Sequence, residues 1–187
     1  PDFGPDTAAR RACLNKFVYM HDHAKQEQYD KAISGWRYCF SNCPKAKKTI
    51  YTDGEDIIIH KIKNSSGDTK KAYVDTLMMI YDQRIEHFGQ KGYVLSKKGT
   101  YLAIYGKEYK KAYDILGESI VVRGTESSTS TVKNHMNFSA KLGDAAVLSP
   151  DTVLDDFTDN VALLEQKKEK ESDPTEREEI QETIEPV

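Results

Sequence analysis

Along nearly the whole chain, apolar positions recur three and four residues apart, the spacing that keeps one face of an α-helix buried. The first set holds Leu14, Phe17, Val18, Met20 and His21. A second holds Tyr29, Ala32, Ile33, Trp36, Cys39 and Phe40, and it stops at Asn42-Cys43-Pro44, where proline cannot continue a helix. A third segment runs to about residue 63 with Ile50, Ile57, Ile58 and His60 inward. After a polar loop at 64–68, residues 69–88 repeat the pattern through Leu77, Ile80, Tyr81, Arg84, Ile85 and Phe88. Gly89 is placed to close that helix in a left-handed conformation.

The second half behaves similarly. Residues 94–105 and 107–121 read as a helical pair broken at Gly106, and the Ser/Thr-rich loop at 124–131 caps a helix over 132–145. Ser149-Pro150-Asp151 has a capping serine, a first-turn proline and an acid, so it starts a long helix carrying Val153, Leu154, Phe157, Val161, Leu163 and Leu164. That apolar face fades at 166–171, and Asp173-Pro174 starts a short helix too polar to hold a core by itself. Only Ile120-Val121-Val122 looks strand-like, and three residues make no sheet. The expected fold is all-α, built from antiparallel hairpins. Its expected parts are an N-terminal tail over 1–9, a helical domain over 10–166 and a charged acidic helix or tail over 167–187.

Composition narrows the classes. The chain has 187 residues, 38% hydrophobic and 30% charged, enough apolar material for a core and too much for full disorder. The longest apolar runs reach four residues, as at 77–80, so no transmembrane helix is expected. The net charge of -3 divides into +6 over residues 1–150 and -9 over 151–187. A mildly basic body with an acidic end reads as solvated surface, and a pI near 6.0 argues against nucleic acid as a partner. The charged end reads as unfinished, with further repeats expected beyond it.

A tetratricopeptide repeat is a helix–turn–helix of about 34 residues with small and large side chains at fixed offsets. Residues 13–46 carry its second half: Tyr29 at the inter-helix aromatic, Ala32 and Cys39 at the small positions, Trp36 at the large one, Pro44 at the end. Tyr109, Ala112 and Leu116 echo these offsets. On these residues the chain resembles a divergent tetratricopeptide protein. With Tyr81-Asp82-Gln83-Arg84-Ile85, Phe88-Gly89 and Val153-Leu154-Asp155-Asp156-Phe157, it is similar over about residues 10–165 to secreted or envelope-associated repeat proteins of Bacteroidetes-type bacteria. That resemblance implies an array of about eight helices plus a short polar C-terminal helix, stacked as right-handed hairpins. It also implies a scaffold exported past the inner membrane, periplasmic or associated with the outer membrane, that acts on another envelope protein. It carries over no catalytic residue. The first helix departs from the repeat, with Lys16, Tyr19, Met20 and His23 at its usual signature positions.

In a repeat hairpin, Leu14, Phe17, His21, Ala24 and Lys25 fall on the concave side, where such proteins hold peptides through apolar anchors and cations. Packing against a neighbouring helix explains Leu14 and Phe17 equally well. In the same hairpin Cys13 begins the first helix and Cys43 ends the second, so a bridge between them is sensible. It would stabilise by about 3 kcal/mol and mark an oxidising compartment. Three reduced cysteines in a cytosolic chain are the alternative, and without a paired Cys-x-x-Cys motif zinc is not expected. Three Asp-Thr-apolar triplets, at Thr7, Thr76 and Thr152, resemble the O-glycosylation acceptor of the same exported proteins, and only Thr7 lies outside an expected helix.

Catalytic signals are sparse. His21 and His23 are two apart and diverge on a helix; Glu55-Asp56 and Asp155-Asp156 are adjacent and diverge too. No nucleophile motif, metal-binding helix motif or phosphate-cradling glycine loop occurs. Tyr101, Tyr105, Tyr109 and Tyr113 recur every four residues, which suits helix packing or, alternatively, a tyrosine-lined face for a glycan or small ligand. The expectation is a non-enzymatic protein-binding scaffold without cofactor or metal, and a ligand-binding module as the alternative.

Overall fold

The computed structural model describes residues 2–185. Among them are nine α-helices and no strand. These are α1 (Thr7–Lys25), α2 (Tyr29–Asn42), α3 (Thr49–Lys63), α4 (Gly67–Phe88), α5 (Lys91–Tyr101), α6 (Tyr109–Arg123), α7 (Thr129–Asp144), α8 (Pro150–Lys170) and α9 (Pro174–Ile184). The all-α expectation therefore holds. No described helix is long and apolar enough to cross a membrane.

Local chemistry sets several of the helix ends. The side chain of Asp6 accepts from the Ala9 N–H at 2.8 Å and starts α1, Ser149 accepts from Thr152 and starts α8, and Asp173 accepts from Thr175 and Glu176 and starts α9. Pro150 and Pro174 occupy first-turn positions, where no amide hydrogen is needed. Gly89, at φ +68°, follows the last residue of α4. At the expected break near Gly106, α5 widens into a π turn over Leu102–Gly106, and Lys107 takes the left-handed conformation before α6 begins. The strand-like triplet Ile120-Val121-Val122 lies in the last turn of α6: Val121 and Val122 are exposed, while Ile120 packs against the cluster around Val132 and Met136.

The helices gather into two compact units, Pro1–Gln90 and Lys91–Val187. In the first, α1 pairs with α2, α3 pairs with α4, and α3 also packs on α1 and α2. Its core holds Met20, Trp36, Ile50, Tyr51, Ile57, Ile58, Leu77, Ile80 and Tyr81. The Trp36 indole N–H donates to the Ile50 carbonyl at 3.0 Å, and its ring stacks on Phe40. Ala32 and Cys39 are fully buried at the positions where small side chains were expected.

In the second unit, α5 pairs with α6, and α7, α8 and α9 follow in succession. Val132, Met136, Leu164 and Ile180 form one buried cluster, with Phe157 and Val161 against it. Residues 7–9 are already helical, and Phe3 meets the Phe17 ring edge-on. Residues 167–170 continue α8, while α9 docks on α7 and α8 through Ile180 and an ion pair between Lys167 and Glu176 at 3.3 Å. A helix this polar is held by a few buried residues on one side.

Candidate functional site

The most developed polar arrangement lies in the second unit, where α6, α7 and α8 meet around an open pocket of about 490 Å³. Three helices contribute one turn each. From α6 come Tyr113, Asp114 and Gly117; from α7, His135; from α8, Asp156, Asp159 and Asn160. Ser139, one turn after His135, completes the set.

Asp156 is the hub. Its Oδ2 accepts the Tyr113 hydroxyl at 2.8 Å and the Ser139 hydroxyl at 2.5 Å. Two O–H donors on one oxygen fix the carboxylate in place. Burial raises the pKa of Tyr113, and its hydrogen bond to Asp156 and the charges of Asp156 and Asp114 raise it further, so the phenol remains a donor at any ordinary pH.

Beside this hub, the Tyr113 and His135 rings stack at 4.6 Å, only 12° from parallel. The Asn160 amide nitrogen donates to the Asp156 main-chain carbonyl at 2.7 Å and lies 3.0 Å from His135 Nδ1. A carbonyl accepts only from N–H, which orients the amide and points its second hydrogen at Nδ1. Nδ1 is therefore an acceptor, and the imidazole is the neutral tautomer carrying its proton on Nε2. That nitrogen faces Gly117, where an added Cβ would lie 3.1 Å away; glycine keeps the approach to it open. His135 is 7% exposed, and among the described residues its Nε2 has no hydrogen-bond partner.

Burial lowers the pKa of His135, against the raising influence of Asp156 and Asp114. The unfolded chain then binds a proton that the folded chain resists. The His135 contribution to stability is complete above the unfolded histidine pKa of about 6.5 and falls as pH drops through that value toward the lower folded pKa. Thermal melts from pH 8 to pH 5 are expected to show this loss on the acid side. His135→Gln is expected to flatten it, and an unchanged slope in that variant would refute the assignment.

The four tyrosines of the anticipated stripe are distributed by the π turn. Tyr101 and Tyr105 stack on each other at 5.8 Å, Tyr109 meets Phe138 edge-on beneath the Lys141 ammonium, and Tyr113 alone enters the pocket. The α1 candidates also divide. Phe17 is buried, and His21 is tied through Nδ1 to Asp53 at 2.6 Å, whereas Leu14 and Lys25 are exposed. Burial raises the pKa of Asp53, and His21 opposes that rise. Val18, 48% exposed, shares the open side of α1 with Leu14.

Cys13 and Cys43 are joined in a disulfide with Cα atoms 6.4 Å apart, so the pairing expected from the hairpin is the one present. The three cysteine sulfurs lie within 4.8 Å of one another, and the bridge leaves Cys39 as the one thiol. Desolvation pushes Cys39 up to about 11, so it is a protonated thiol at neutral pH rather than a nucleophile or metal ligand.

His135, Ser139, Asp156 and Asn160 carry no local motif that marks them in the sequence. The readable hints were Tyr113 in its four-residue series and the paired acids Asp155-Asp156, of which Asp156 turns inward and Asp155 outward. Comparison with protein families, with curated proteins and with solved structures finds no match to this chain.

Proposed function

We propose that this chain is a non-enzymatic binding module of the bacterial cell envelope, a tetratricopeptide-like helical scaffold that recognises a small polar ligand in the α6–α7–α8 pocket. One observation carries the reading: the Asp156 carboxylate and the neutral His135 imidazole are both held in fixed orientations at a cavity of ligand size. The hydrogen bonding favours binding over turnover, because Ser139 donates to Asp156 and not to His135, leaving no nucleophile–base pair. The Cys13–Cys43 disulfide supports an exported location, since such bridges persist in oxidising compartments. The repeat-like residues Ala32, Trp36 and Cys39 in the α1–α2 hairpin support the family likeness.

A thermal-shift panel of small polar ligands tests the reading. A ligand that raises the melting temperature of the native chain should lose at least about tenfold in affinity against Gly117→Leu, whose side chain would fill the pocket in front of His135. Equal binding by that variant would move the site elsewhere.

A partner protein is the second reading, favoured by the exposed Leu14 and Val18, four residues apart on α1, with Lys25 beyond them. Capture of one envelope protein by the native chain, abolished in a Leu14→Ser, Val18→Ser variant with unchanged melting, would establish it. Capture unaffected by these changes would refute it.

A further inference from the structure

Given that the pocket is a binding site, we infer that it takes a ligand carrying an ammonium group next to a hydroxyl or carbonyl oxygen, the chemistry of an amino sugar or a vicinal amino alcohol. Lys110 pairs with Asp114 at 2.6 Å and Lys91 with Glu118 at 2.6 Å, so these rim acids carry their own counter-cations. Asp156 and Asp159 have no basic partner among the described residues, and both line the cavity from α8, three residues apart and so on the same side of the helix. Two uncompensated carboxylates over one cavity favour a cation.

A bare cation does not complete the fit. His135, 7% exposed, turns Nε2–H toward the same space past Gly117, and among the described residues nothing accepts from it, so an acceptor oxygen on an occupant would take the place of water there. The occupant therefore brings opposite polarity to two neighbouring points: a donor cation toward Asp156 and Asp159, and an acceptor oxygen toward His135. Ile120, Val121 and Leu163 add apolar wall, suited to the carbon face of a ring. About 490 Å³ lies within the usual range for small-molecule sites, ample for one hexose-sized ring.

Calorimetric titration of the full chain at pH 7 with three ring-sized probes tests this. Glucosamine offers ammonium and hydroxyls, glucose the hydroxyls alone, and cyclohexylamine the ammonium alone. Glucosamine is expected to bind at least about tenfold more tightly than either of the others, the effect of one charge-assisted hydrogen bond. Asp156→Asn is expected to reduce glucosamine to the level of glucose. Because that change also weakens the bonds from Tyr113 and Ser139, the exposed Asp159→Asn serves as a second variant with intact folding and a smaller loss. Glucose equal to glucosamine, with both lost in Gly117→Leu, would overturn the ammonium assignment and leave the binding site standing. Cyclohexylamine equal to glucosamine would overturn the paired recognition. No binding by any of the three, with none by the wider ligand panel, would overturn the site as well.

Discussion

Replacing Gly54 by alanine is expected to destabilise the chain by about 3 kcal/mol, although alanine is the better helix former by up to about 1 kcal/mol. An added Cβ would lie 2.2 Å from the Trp36 indole nitrogen and 2.9 Å from the neighbouring ring carbon. The indole sits in the notch that Gly54 leaves on α3, and from there its N–H reaches the Ile50 carbonyl one turn earlier. Accommodating a methyl group moves the ring, strains the surrounding core and leaves a buried N–H without its acceptor. Trp36 is the single tryptophan in the chain, so urea denaturation followed by its fluorescence reads the affected side chain directly. A denaturation midpoint equal to the parent's would mean that α2 and α3 do not approach this closely.

Removal of the disulfide is the second large effect. A Cys13→Ser, Cys43→Ser variant is expected to lose about 3 to 4 kcal/mol, the loop-closure entropy restored to the unfolded chain when a crosslink 30 residues apart is opened. The parent protein under reducing conditions should match the variant. Counting thiols in the denatured, unreduced chain gives an independent check: one is expected, from Cys39, and three would refute the bridge. Since Cys39 holds its proton up to about pH 11, exchange with the bridge is expected to be slow at neutral pH.

The helices were legible because their boundaries are written in local chemistry. Ser149-Pro150, Asp173-Pro174 and Gly89 act within a few residues of themselves, and the apolar period does the rest. The disulfide was legible because hairpin geometry places Cys13 beside Cys43 whatever the remainder of the fold. The pocket was not, because Tyr113, His135 and Asp156 come from three helices, and their meeting depends on how α6, α7 and α8 pack. Faces were harder than helices. Leu14, Phe17 and His21 share one periodic set, yet Phe3 and Asp53, both distant in sequence, decide that Phe17 and His21 turn inward. The tyrosine series was regular in sequence, but the π turn at Leu102–Gly106 inserts extra backbone and sends Tyr113 to different neighbours from Tyr101.

The orientation of one amide has an evolutionary consequence. Asn160 donates in two directions, and that alone decides which imidazole nitrogen of His135 bears the proton. Aspartate at this position is a single nucleotide away and nearly the same shape, but it can only accept. It would repel the Asp156 carbonyl, draw the histidine proton to Nδ1, and strengthen the imidazole's hold on a second proton. The pocket would then offer an acceptor where it now offers a donor at neutral pH, and a full positive charge in mild acid. One mutational step would thus reverse the polarity that His135 presents to this pocket, without repacking a helix.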